Sequence, residues 1–398
     1  MIHSFEVENF YSINERQVLD FTNPKAYSDS YSKVEGAFVN RVNCFVGANA
    51  SGKTNVFRAL AFLLWFAENS FYSAGRTNSI LFPPHKLKET EETNFEIVFD
   101  CAEKLYRYKL VITPARLVSE ILELQQERGF SYLYKLSNDN GKISIKYNRN
   151  KLLPPINKND EERFKTRQNA SFLSFLIGTG YLNSLGLTGI SQSGYSNVKG
   201  RGASGFDQAY EAVNLSKALS DSDAKSRVLP YLQNFDFGIE AFSKGKIVNV
   251  DADDVEILEF KHSGKDGSFD VSAFDESAGT IKGTYMLHKL LSVLDTGGIA
   301  IVDELDVRLH YDTARRLISL FANEDTNKNN AQLFFTTHQP LFLNDRDKSQ
   351  IFLCYKEDYL NTEVYRLDEV SGVRNSENFF EKYLTGAYGA TPRIGECR

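Results

Sequence analysis

The chain is poor in the features that mark several whole classes of protein. It has only four cysteines in 398 residues. Cys44, Cys101, Cys354 and Cys397 stand far apart, with no CxxC pair and no matching histidine pairs. That argues against a disulfide framework and a zinc site, and fits a reducing cytoplasm. No apolar run reaches the ~18 residues of a membrane span, and the longest one is Ala59 to Ala67. No heptad pattern is sustained, so a long coiled-coil arm is not expected. Internal repeats are absent. The opening MIHSFEVENF alternates polar and apolar residues, which reads as a strand and not as a signal or transit segment. An excess of positive charge is also lacking. The net charge is −6, which argues against a chain that binds nucleic acid over its whole surface.

What is present is an ordinary globular composition, 42% hydrophobic and 25% charged. The length allows two or three domains and a full hydrophobic core. The charge is unevenly spread. Lys142 to Arg201 holds ten Lys and Arg against three Asp and Glu, an excess of +7, which leaves −13 elsewhere. The same stretch is broken by Pro154 and Pro155, and Gly178 to Gly205 carries eight glycines among many serines. Helical periodicity is expected over Ser171–Ile177 and, as two helices, over Ala209–Leu232. Towards either end, short apolar runs alternate with helical segments. Strands are expected at Ile2–Val7, Asn43–Gly47, Phe95–Phe99, Leu105–Ile112, Ile299–Val302, Gln332–Phe335 and Ile351–Cys354. Helices are expected at Lys53–Glu68, Ile281–Leu294 and Tyr311–Phe321. Helices between buried strands imply a mainly parallel sheet covered on both faces.

Four segments carry chemistry. Gly47-Ala48-Asn49-Ala50-Ser51-Gly52-Lys53-Thr54 fits GxxxxGK[ST] and lies between a strand and a helix, the context a phosphate-binding loop requires. Its N–H groups and the helix N-terminus would face phosphate, Lys53 would reach the β- and γ-phosphates, and Thr54 would offer a hydroxyl to Mg²⁺. Ile299-Ala300-Ile301-Val302-Asp303-Glu304 is a buried strand that delivers two carboxylates at its C-terminal end, where ligands bind in open α/β sheets. Asp303 would hold Mg²⁺ through water, and Glu304 would orient and deprotonate the attacking water. Leu333 to His338 is a similar strand, with a histidine placed to sense a γ-phosphate. Ser277 and Gly279, in Asp275-Glu276-Ser277-Ala278-Gly279-Thr280, sit at the start of a helix where free N–H groups attract anions.

The order of these segments resembles the ABC-type ATPase heads of the SMC, Rad50, RecF and OLD lineage. MIHSFEVENFYSI, FVGANASGKTNVFRAL, DESAGT, IVDELDVRLH, QLFFTTHQPLFL and YLTGAYGATP are similar to the AAA15 group of bacterial ATPases. That group includes RloA-type and AbiL-type abortive-infection subunits. The resemblance touches both ends of the chain and is weakest from about 113 to 260. It implies an α/β, ABC-type P-loop NTPase head. Its parts would be a mixed, mainly parallel core sheet, an antiparallel β lobe and a helical insertion, without a long coiled coil. The head would be split as 1–141 and 263–398 around an insertion at 142–262.

The resemblance further implies a homodimer with two ATP molecules at its interface, Mg²⁺ as cofactor and slow basal turnover. Gly47, Asn49, Ala50, Ser51, Gly52, Lys53, Thr54 and the following Asn55 would hold nucleotide, with Lys53, Glu304 and His338 as the catalytic set. Ser277 and Gly279 would touch the nucleotide of the other subunit, and Asp306 would lie at the interface. The sequence departs from the family at Tyr11, where Lys or Arg is usual, and in having SAGT for SGGQ. Gln125, Gln126 and Gln168 are the candidates for a Q-loop residue, with none preferred. The functional expectation is a cytoplasmic ATPase switch of an antiphage system, paired with a separate nuclease or RloB-like effector. The alternative is a DNA-maintenance ATPase that binds nucleic acid itself. An OLD-type nuclease is disfavoured, because the 60 residues after His338 are too few for a Toprim domain. The Asp345/Asp347 pair sits in a loop-like context. The basic 142–201 stretch is expected to stand away from the phosphate chemistry and to be the surface for a partner.

Overall fold

The computed structural model describes residues 1–23, 25, 28, 30–34, 36–73, 79–149, 152–192, 194–199, 202–203, 208–235, 238–250, 253–265, 267–357 and 361–391. Cys397 and parts of the glycine-rich stretch lie outside these residues. Two sheets dominate. The six-stranded core sheet has the order Tyr195–Ser196, Ile299–Val302, Gln332–Thr336, Val42–Val46, Ile351–Glu357, Asn361–Arg366. Its first five strands are parallel and the last is antiparallel. The P-loop strand and the two acidic- and histidine-tipped strands therefore share one sheet, although they come from opposite ends of the chain.

These strands read as unbroken apolar runs because both faces are covered. The two-residue period sends Phe45, Ile299, Ile301, Phe334 and Phe352 to one face, where they meet the helix Lys53–Ser73 and the antiparallel lobe. Val42, Cys44, Val46, Ala300, Val302, Leu333 and Phe335 face the other way, onto the helices Ala278–Thr296 and Tyr311–Ala322. Each buried phenylalanine contributes about 1.5–3 kcal/mol relative to exposure, so the stacked Phe45 and Phe352 rings, with centroids 4.8 Å apart, anchor the sheet to its helix layer.

The antiparallel lobe is a seven-stranded sheet. Its order is Lys142–Tyr147, Gly129–Asp139, Leu117–Gln126, Lys104–Ile112, Thr93–Cys101, Ile2–Glu8, Gln17–Asp20. The turn after Cys101 has two residues, Ala102 and Glu103, both at positive φ (49° and 57°), the geometry that suits strand twist. The expected boundary at 141/142 falls inside a hairpin. Asn140 (φ 47°) and Gly141 (φ 95°) make the turn, and Lys142–Tyr147 pairs with the preceding strand, so the lobe runs to Tyr147. Gln332 stitches the two sheets together. Its Oε1 accepts from Ile2 N (2.8 Å), and its Nε2 donates to Ile2 O (3.0 Å) and Asn40 O (2.9 Å).

The middle of the chain supplies helices at Lys158–Lys165, Phe172–Thr179, Gln208–Ala218 and Ser222–Gln233. A three-stranded sheet follows, made of Ile239–Val250, Asp253–Gly264 and Gly267–Ser272. The helix Phe172–Thr179 is tied to the lobe by Glu120, a fully buried carboxylate. It accepts from Phe172 N (2.8 Å), Leu173 N (2.7 Å), Ser171 Oγ (3.1 Å) and Tyr134 Oη (2.5 Å). Burial, the largest influence, raises its pKa despite these donors. Among the described residues, no helix is long and apolar enough to cross a membrane.

Candidate functional site

The loop Gly47–Thr54 joins the central strand of the core sheet to the helix Lys53–Ser73. Its curl requires positive φ at Ala50 (61°) and Gly52 (101°). Glycine is also obligatory at 52 for space, because a Cβ there would lie 1.9 Å from Thr362 Oγ1. Beneath the loop, Thr362 donates to Ser51 O (3.2 Å) and bonds Ser12 Oγ (2.7 Å), and Asn55 Nδ2 donates to Ser12 Oγ (2.6 Å). The N-terminal Asn9-Phe10-Tyr11-Ser12 segment thus buttresses the cradle. Tyr11, where the resembled family has a base, lies under the guanidinium of Arg58, 5.0 Å from its ring centroid. Arg58 also donates to Asn55 Oδ1 (2.8 Å). Positive charge at this corner comes from the helix rather than from the loop.

Lys53 is buried, and its Nζ donates to Gly47 O (2.8 Å) and Ala48 O (3.0 Å). Burial lowers its pKa, opposed by the negative charges of Asp303, Glu304 and Asp306. Cys354 lies beside it, and burial pushes that thiol up to about 12, so it stays neutral. Thr54 Oγ1 donates to Asp303 Oδ2 at 2.8 Å. The other oxygen, Oδ1, accepts from Thr336 Oγ1 at 2.6 Å, and the same hydroxyl accepts from Glu304 N at 2.7 Å. The histidine strand therefore fixes both acidic residues. Glu304 has φ 51°, a sharp reversal at the end of a strand. His338 Nε2 comes within 3.5 Å of Glu304 Oε1, with both side chains partly open to solvent.

Gly47, Asn49, Ala50, Ser51, Gly52, Lys53, Thr54, Asn55, Asp303, Glu304 and His338 line one open cleft of 1370 Å³. Lys356, Tyr383 and Leu384 complete its wall from the C-terminal side. Ser277, Gly279 and Asp306 do not line it. Ser277 caps the helix Ala278–Thr296, its hydroxyl accepting from Thr280 N (3.0 Å). Gly279 packs so closely on the turn after Glu304 that a Cβ would lie 2.8 Å from Arg308 O. Lys282 secures that turn from the same helix, donating to Glu304 O (3.2 Å) and Val307 O (2.6 Å). Asp306 is buried, and among the described residues its Oδ1 has no hydrogen-bond partner.

The residues present fit a nucleotide and a divalent cation. The buried hydroxyl of Ser51 has no hydrogen-bond partner inside the loop, Lys53 offers an ammonium to phosphate, and the Thr54–Asp303 pair is an all-oxygen donor set of the kind magnesium takes. None of the three glutamine candidates reaches the cleft. Gln125 and Gln126 bond each other's main chain at an exposed strand end, and Gln168 donates to Gly141 O. Asp345 and Asp347 are held by Tyr311, Arg315 and Tyr31.

The expectation that the 142–201 stretch stands away from this chemistry is overturned. Tyr195–Ser196 is the edge strand beside Ile299–Val302, and Asn197 bonds the backbone of Asp303. Asn197 lies in a glycine- and serine-rich run without periodicity, and no local signal marks it.

The family described as "AAA domain, putative AbiEii toxin, Type IV TA system" matches residues 42–344. Similar solved structures include the Smc head domain of Pyrococcus furiosus with an extended coiled coil, bound to the C-terminal domain of ScpA. It is 13% identical, covers 92% of this chain and 97% of that one, and has a TM-score of 0.42. The Smc head domain of Pyrococcus yayanosii, with a coiled coil and joint, is 11% identical, covers 97% and 99%, and has a TM-score of 0.43. No curated protein matches the chain by sequence.

Proposed function

The chain belongs to this AAA-domain family, and from that premise we propose that it is an ATP-binding and ATP-hydrolysing molecular switch. The observation that carries the reading is the Thr54–Asp303–Thr336 bridge, which joins the P-loop to both acidic and histidine strands within one cleft. In this reading the loop N–H groups and Lys53 hold the phosphates. Thr54 and Asp303 hold Mg²⁺, which supplies charge neutralisation on the transferring phosphoryl group. Glu304 accepts the proton of the attacking water, and His338 keeps Glu304 oriented and meets the terminal phosphate. The lowered pKa of Lys53 is reversed when phosphate charge arrives, so binding favours its protonated form.

Two copies close head to tail over two nucleotides. Ser277 and Gly279, placed outside their own cleft, meet the nucleotide of the partner subunit, with Asp306 at the seam. ATP then stabilises the closed dimer and hydrolysis removes the bridge. The family description names a putative AbiEii toxin of a type IV toxin–antitoxin system, which supports a role in such a system. In our reading the protein works in the cytoplasm and controls a separately encoded effector. The test is equilibrium binding of ATP with Mg²⁺, followed by phosphate release. ATP affinity left unchanged by Lys53→Ala would remove the reading. Tight binding of DNA or RNA at low salt would move the function to DNA maintenance.

A further inference from the structure

Asp303 is held from a direction that neither of its neighbouring motifs supplies. Tyr195 and Ser196 pair in parallel with Ala300 and Ile301. Asn197 continues the ladder for one more bond, its N–H donating to Ile301 O at 3.3 Å. The side chain then takes over from the main chain. Asn197 Nδ2 donates to Asp303 O at 2.8 Å, and Asn197 Oδ1 accepts from Asp303 N at 2.7 Å. A carboxamide gives and accepts at once without charge, so it copies the pairing of a backbone peptide where the strand has ended. The carboxylate of Asp303 is meanwhile fixed by Thr54 and Thr336. Asp303 is therefore pinned at its main chain from one side and at its side chain from two others, and it is 2% exposed.

We infer that Asn197 is a positioning residue that sets the main chain of Asp303, and through it the metal site, from within the basic 142–201 stretch. The inference rests on the proposed nucleotide reading for its metal consequence, but not for the clamp itself. Groups behind a metal ligand typically change metal affinity by ~10–100-fold when removed.

The experiment compares the full chain with Asn197→Ala. Without nucleotide, residue-resolved hydrogen exchange should show the Asp303 amide exchanging at least ~10-fold faster in the variant, since its acceptor is gone. The Leu305 amide donates to Thr336 O (3.1 Å) and should be unchanged, which reports an intact turn. With ATP, the Mg²⁺ concentration for half-maximal binding should rise ~10-fold. ATP affinity in EDTA should stay within about twofold, because the phosphate cradle is untouched. Unchanged Asp303 exchange, or an unchanged Mg²⁺ midpoint in a protein that binds ATP, overturns the inference. If the wild-type chain binds no ATP at all, the nucleotide reading fails, and the exchange comparison alone decides whether Asn197 holds Asp303.

Discussion

Thr54 and Asp303, 249 residues apart in sequence, share a hydrogen bond of 2.8 Å. The bond joins the first turn of the P-loop helix to the tip of a strand from the other end of the chain. It makes the site a product of the whole core sheet. A residue on either side of this bond can be tested by what it does to nucleotide binding or turnover.

Lys53→Ala should lower ATP affinity roughly 10- to 100-fold, the range for losing a charged hydrogen-bond donor, as measured by calorimetry. It should also change how stability varies with alkaline pH. Burial holds the Lys53 pKa below its ordinary 10.5. Between that lowered value and 10.5 the unfolded chain binds more protons, so wild-type stability gains a rising term with pH. The alanine variant should lack that term in urea unfolding at successive pH values.

Glu304→Gln should leave ATP binding near wild type and cut phosphate release by at least ~100-fold, the range for a general base. ATP should then hold the dimer on size-exclusion chromatography. A variant that hydrolyses ATP normally would take the proton-accepting role from Glu304.

Ser277 allows its two roles to be separated. Ser277→Ala removes the cap on Thr280 N and should cost about 0.5–2 kcal/mol of stability. Ser277→Asp keeps a capping oxygen but sets a negative charge where the partner's nucleotide would sit. Its stability should match wild type while ATP-dependent dimerisation is lost. Dimerisation at wild-type strength would exclude the contact across the interface.

Glu120→Gln should destabilise the fold by about 1–3 kcal/mol, because an amide N–H₂ meets groups that are already donors. The sign of the pH effect differs from that of Lys53. The Glu120 pKa is raised above its ordinary 4.5 in the folded protein. From 4.5 up to the raised value the folded chain binds more protons, so its contribution is present at low pH and is lost as pH rises. Chemical denaturation from pH 4.5 to 8 should show this falling term in wild type and not in the variant.

The parts legible in sequence are those whose meaning is local. Gly47–Thr54 declares itself because strand, loop and helix are contiguous. Ile299–Glu304 and Leu333–His338 do so because a doubly covered strand must be apolar until its polar tip. The lobe strands Leu117–Gln126 and Gly129–Asp139 were harder. Leu117, Ile121, Leu122 and Leu124 satisfy helical spacing nearly as well as alternation. Asn197 was illegible because its role depends on a pairing with Ala300 and Ile301, and a two-residue edge strand leaves no periodic trace. The support for Gly52 from Thr362 was hidden for the same reason.

The position of Val42–Val46 in the sheet also has a consequence during synthesis. Val42 pairs with Leu333 on one side, and Cys44 with Ile351 on the other. At ~5–20 residues per second, roughly 15–60 s pass on the ribosome between the making of this strand and of its neighbours. During that interval its two backbone edges are unpaired and its apolar side chains uncovered, a state that invites chaperones or misassociation. The phosphate-binding motif is thus translated well before the strands that complete its working shape. Nascent chains stalled before residue 332 should not retain nucleotide, however intact their P-loop sequence.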